Sequence, residues 1–154
     1  MHYTKYKNYS AGINSMELDD LYQELIIDHG TDPRNHHVLD TANHDAEGFN
    51  PLCGDKIHVY LRIKDNIISD ISFISKGCAI STASASIMSE TLKGKSVAQA
   101  VDLFQQFQHL LTSEEQAPIT LGKLAALIGV RKFPSRVKCA TLAWHTLQQA
   151  LNNK

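Results

Sequence analysis

The sequence predicts an α+β fold, with helices packed on one face of a small antiparallel sheet. Three observations carry that expectation. Residues 57–74 hold two apolar-alternating segments around a tight turn, one helical pattern precedes them, and several follow. The chain's 154 residues argue for one domain with its own core, since a chain of this size buries roughly 68–70% of its unfolded surface.

Residues 1–15 (MHYTKYKNYSAGINS) lack the apolar stretch of a secretory signal and are expected to form a flexible extension. The single domain is expected over residues 16–154. From Glu17 to His29, Leu18, Leu21, Tyr22, Leu25 and Ile26 recur at helical spacing, with Asp19, Asp20 and Gln23 on the other face. Ser15 is a plausible N-cap, and Gly30 and Pro33 end the helix. Residues 33–49 are polar and without a stable period, which predicts an extended loop. Ile57, Val59, Leu61 and Ile63 then alternate with His58, Tyr60 and Arg62. Asp65-Asn66 turns the chain, and residues 67–74 return as a second strand, giving a hairpin. Small residues with Ile87, Met88 and Leu92 predict a close-packing helix over 82–93, closed by Gly94. Ser96 caps a helix that runs to Leu111. A short helix follows over 121–128, and a last one from about Cys139 to Leu151.

Composition excludes several functions. Lys plus Arg is 15 and Asp plus Glu is 16, a formal charge of -1, so there is no electrostatic case for a nucleic-acid or anionic-membrane partner. No apolar run approaches the ~18–20 residues of a membrane helix. The three cysteines, Cys53, Cys78 and Cys139, are odd in number and far apart, as expected of free thiols in a reducing cytoplasm rather than a disulfide framework.

Those cysteines are the chemistry-bearing residues. Cys53 lies in the turn Asn50-Pro51-Leu52-Cys53-Gly54-Asp55, and Cys78 in Lys76-Gly77-Cys78-Ala79-Ile80-Ser81 between a strand and a helix. Cys139 follows Pro134-Ser135-Arg136-Val137-Lys138 at an expected helix start. A helix N-terminus lowers a thiol pKa, and Arg136 and Lys138 add cations near the third cysteine. Taken singly, such cysteines are often small buried hydrophobes. Asp55, two positions after Cys53, is either a turn residue bonding its own backbone or a fourth donor. Three thiolates and a carboxylate suit Zn²⁺ or the irons of an Fe–S cluster, and do not suit Mg²⁺ or Ca²⁺. His36, His37 and His44 are expected in a solvated loop, His58 on a polar strand face, and His145 out of phase with Cys139.

The blocks Asn50 to Asp55, Gly77-Cys78-Ala79-Ile80-Ser81, and Lys132-Phe133-Pro134-Ser135-Arg136-Val137-Lys138-Cys139-Ala140 resemble the three cysteine blocks of the IscU/NifU-like family. Asp28-His29 and Pro33-Arg34-Asn35 are similar to its N-terminal segment. The resemblance spans about Leu18 to Leu151. Within it the SufU branch matches better: Lys138 stands where the IscU branch has a His, and the stretch between the second and third cysteines is longer here. The resemblance implies a SufE/NifU-like α+β fold and a Zn²⁺ ion held by Cys53, Asp55, Cys78 and Cys139. It also implies sulfur transfer from a SufS-type cysteine desulfurase to downstream Fe–S assembly proteins in the cytoplasm. Cys53 would be the acceptor, and Arg136 a candidate for partner contact or for stabilising a persulfide anion. The alternative is a scaffold that assembles and hands on an Fe–S cluster, and a third possibility is a structural zinc domain.

Overall fold

A computed structural model describes residues 15–153. The expected N-terminal extension therefore lies outside the described residues, except for Ser15, which already belongs to the first helix. The elements are α1 (Ser15–Thr31), β1 (His44–Asn50), β2 (Asp55–Lys64), β3 (Ile67–Lys76), α2 (Ala79–Leu92), α3 (Val97–Leu111), α4 (Lys123–Leu127) and α5 (Pro134–Asn152), with 3-10 turns at Ile119–Leu121 and Ile128–Lys132. The strands form an antiparallel sheet in the order β1-β2-β3. The α+β architecture is as the pattern predicts.

The β2–β3 hairpin closes through Asp65 and Asn66, both at positive φ (53° and 62°). Two left-handed residues give the turn whose twist matches that of the strands, and Asp and Asn tolerate that conformation. The alternation in β2 then places Ile57, Val59 and Leu61 inward and His58, Tyr60 and Arg62 outward. Val59 faces Phe73 and Leu61 faces Ile71 across the ladder, and all four are fully buried. α5 and α2 cover this inner face. Trp144 of α5 is fully buried and its indole N–H donates to Ser84 Oγ of α2 at 3.2 Å. The small residues of α2 let these two helices approach closely.

Two expectations need correction. The polar segment at 44–50 is a strand, not part of a loop. Only Ala46 and Asn50 of β1 are buried, so it carries no apolar alternation. It is an edge strand recruited by pairing with β2 and by contact with α5, where a Cβ on Gly48 would lie 2.0 Å from Thr146 Oγ1. Glycine is required there for the approach. The last helix starts at Pro134, not near Cys139, because proline is favoured in the first helical turn. Cys139 consequently sits in the helix's second turn and is buried.

Behind α2 lies a buried polar cluster. His29 of α1 is fully buried, with Nδ1 2.7 Å from Ser86 Oγ and Nε2 3.0 Å from Lys123 Nζ. The ammonium has only protons to offer, so Nε2 accepts and Nδ1–H donates to Ser86. Lys123 also donates to Glu90 at 2.8 Å, and Arg34 bonds Asp28 at 2.9 Å. Burial, then the Lys123 and Arg34 cations, hold the His29 pKa down to about 3 from 6.5, with Asp28 opposing.

Between those two values the unfolded chain binds a proton at this site and the folded chain does not, so stability falls as pH falls. From pH 7 to pH 5 the expected loss at this group is about 2 kcal/mol. Thermal denaturation of wild type and His29→Gln at both pH values checks this: the variant's curve should lose most of that pH-dependent increment.

Candidate metal centre

The turn between β1 and β2 is built to lift one side chain. Asn50 and Asp55 are cross-strand partners at its base. Gly54, at φ +72°, allows its N–H to donate back to Asn50 O at 2.8 Å, and Leu52 N–H donates to Asn50 Oδ1 at 3.2 Å. Cys53 stands exposed at the tip, beside Leu52, which is 77% exposed. Asp55, one residue beyond the turn, is fully buried.

Cys78 is the N-cap of α2. Its backbone N–H donates to Asp55 Oδ1 at 2.8 Å, and its Sγ lies 3.8 Å from Asp55 Oδ2 while accepting from Ser81 N–H at 3.5 Å. Gly77 makes room for this arrangement, since a Cβ there would lie 2.2 Å from Asp55 Oδ1. The carboxylate thus occupies the space a side chain at position 77 would take. Cys139 Sγ comes from α5 to 3.1 Å from Cys53 Sγ.

The ligating atoms of Cys53, Asp55 and Cys139 lie within 4.8 Å of one another. Cys78 stands just outside that set, tied to it through Asp55, which its backbone N–H and Sγ both contact. All four sequence-derived candidates are therefore brought to one place. Arg136 is exposed on the first turn of α5, and its charge acts on Tyr22, which also feels Cys78 and Cys139.

The expectation of a lowered thiol pKa at Cys139 is overturned. Burial pushes this thiol up, aided by its hydrogen bond to Cys53, the charge of Cys78 and the Asp55 carboxylate. A buried second-turn thiol facing negative neighbours resists ionisation. Such a set is electrostatically incomplete without a cation, and its chemistry of sulfurs with one oxygen fits Zn²⁺ or iron. The histidines stand elsewhere. His36 Nε2 accepts from Ser75 N–H at 3.1 Å, His58 lies 2.6 Å from Asp45 Oδ2, and His145 packs edge-on against Phe104.

Three residues that matter here were not singled out from the sequence: Gly77 as the cradle of Asp55, Asn50 as the base of the turn, and Tyr22 beside the cluster. The Asn50 signal was available in the Asn-Pro before Cys53, a turn-initiating pair.

Fold and site together define an α+β domain with a thiol-rich candidate metal site. The family described as NifU-like N terminal domain matches residues 21–140, and the chain belongs to it. It is 41% identical over 136 residues to the zinc-dependent sulfurtransferase SufU of Bacillus subtilis, covering 87% of this chain and 91% of that one. It is 39% identical over 136 residues to the iron-sulfur cluster assembly scaffold protein IscU of Streptococcus pyogenes, covering 88% and 85%. A crystal structure of a putative iron-sulfur cluster assembly scaffold protein for the SUF system from Fervidobacterium islandicum superposes with a TM-score of 0.79 at 31% identity, covering 86% and 97%.

Gly77→Ala is expected to displace the Asp55 carboxylate and weaken metal binding at this set about tenfold or more, the equivalent of about 1.4 kcal/mol. Competition against a chromophoric chelator measures this, with circular dichroism as the control for folding.

Proposed function

We propose that this chain is an acceptor of sulfane sulfur that holds Zn²⁺ with Cys53, Asp55, Cys78 and Cys139. It would take persulfide sulfur from a SufS-type cysteine desulfurase and pass it to downstream Fe–S assembly proteins in the cytoplasm. The observation that carries this is the asymmetry of the cluster. Cys53 is exposed on a glycine turn, while Cys139 and Asp55 are fully buried and Cys78 caps a helix. A loop thiol can reach a partner while the others stay in place. The similarity to a protein named as a zinc-dependent sulfurtransferase supports the same reading.

Bound Zn²⁺ would supply the positive charge that keeps the thiols as thiolates, without redox chemistry of its own. In the transfer itself, Cys53 Sγ attacks the outer sulfur of the partner's cysteine persulfide. The donor S–S bond breaks, its electron pair leaves with the partner's sulfur as a thiolate, and Cys53 becomes the persulfide. No net oxidation occurs. Arg136 is exposed, its charge acts on Tyr22 beside the cluster, and it offers a cation to the partner or to the anionic sulfur. Phe133, three residues before it and 50% exposed, adds apolar surface for contact. Among the described residues no helix is long and apolar enough to cross a membrane.

A second reading, a scaffold on which an Fe–S cluster is assembled, is favoured by the donor set and by the similarity to proteins named IscU. Anaerobic purification separates the two: colourless protein with stoichiometric zinc supports sulfur transfer, and brown protein with charge-transfer absorption supports the scaffold.

Cys53→Ser should fold normally yet accept no sulfur from a desulfurase loaded with cysteine, and should fail to stimulate its turnover. Full stimulation by the variant would remove Cys53 from the acceptor role. Zinc removal by a chelator should lower Tm without abolishing the cooperative transition, because the ligands are preorganised only in the folded state while the domain keeps its own core.

A further inference from the structure

Asn50 is 6% exposed, and its carboxamide is only half used. Oδ1 accepts the Leu52 N–H, which fixes which way the amide points. Nδ2 is buried and has no acceptor among the described residues. A buried donor left without a partner is costly, and folded proteins keep few of them. This one sits at the base of the turn that carries Cys53.

The register says where it stands. Asn50 is paired directly with Asp55, and directly opposed residues project to the same face of a sheet. Asn50 therefore shares the face from which the Asp55 carboxylate enters the sulfur cluster. The carboxylate itself is already engaged, through Oδ1, by the Cys78 N–H. Asn50 also lines the groove between β1 and α5 with Leu52, Lys138 and Leu142. An unused, oriented amide donor next to a sulfur-carrying turn is suited to an anionic sulfur, which accepts more strongly than a neutral thiol.

We propose that Asn50 is the hydrogen-bond donor for the transferred sulfur: its Nδ2 binds the terminal sulfur of the Cys53 persulfide and keeps it on this chain. This rests on the sulfur-acceptor reading and deepens it. Asn50 then has two separable tasks. Its Oδ1 and backbone oxygen shape the turn, and its Nδ2 holds what the turn receives.

Asn50→Asp separates these tasks, because it keeps the acceptor for Leu52 N–H and removes the donor. The full chain is treated with glutathione persulfide. Cys53 Sγ attacks the outer sulfur, glutathione leaves as the thiolate, and the loaded form is read by intact mass as the addition of one sulfur atom. Excess glutathione is then added and loss of that sulfur is followed. The variant should lose it about tenfold faster than wild type with zinc stoichiometry kept, and its Tm should fall, because a second carboxylate then faces buried Asp55. Asn50→Ser, whose hydroxyl supports the turn without adding charge, should move in the same direction, and it decides the matter if the Asp variant fails to fold. Loss at the wild-type rate in a folded variant overturns the proposal. So does reduced zinc content with unchanged sulfur retention, which would assign the donor to the resting thiolates. A wild-type chain that takes up no sulfur, with Cys53→Ser as its control, overturns the acceptor reading itself.

Discussion

The hydrogen bond from the Cys78 N–H to the Asp55 carboxylate is the interaction on which the site depends. It joins the first residue of β2 to the N-cap of α2, and it forms because position 77 has no side chain to exclude the carboxylate. Asp55 is fully buried, and a buried carboxylate without such donors would be costly. Once it is held, the two ends of the β2–β3 hairpin are fixed relative to α2. The Cys53 turn, which begins at Asp55's cross-strand partner, is then fixed as well. α5 supplies the last sulfur across 86 residues of sequence.

That construction divides the cluster into rigid and movable parts. Cys139 is locked in α5, whose Trp144 is bonded to α2, and Cys78 is locked by its capping role. Cys53 rides on a turn whose side chains face solvent from Pro51 to Gly54. The electrostatics point the same way. The buried thiol resists losing its proton while it faces other sulfurs and a carboxylate, so a cation is what would bring the set together as anions. A site of this kind can release one sulfur at its surface without dismantling its interior.

Much of the frame was legible in the sequence because its periodicities are strong. The alternation of Ile57, Val59 and Leu61 and the helix cap at Ser96 are local signals that the structure keeps. β1 was not legible, since an edge strand held by Gly48 against α5 shows no apolar alternation. The start of α5 is not legible either, because Pro134 reads as a break in the pattern although proline also opens helices. The four candidate residues were recognisable from their motifs. The direction of the Cys139 pKa was not, because it depends on burial and on neighbours that only folding brings near. The role of Gly77 was hidden for the same reason: nothing in Lys-Gly-Cys says that the missing side chain is replaced by a carboxylate from another strand.

The central claim is that these four side chains converge on a single ion. Zinc K-edge X-ray absorption on the full chain, isolated without added metal or tags, addresses it most directly. The account predicts one zinc per chain with three sulfur scatterers and one oxygen. Protein that carries no zinc, or a zinc shell with fewer sulfurs and histidine-type scattering in their place, would contradict it.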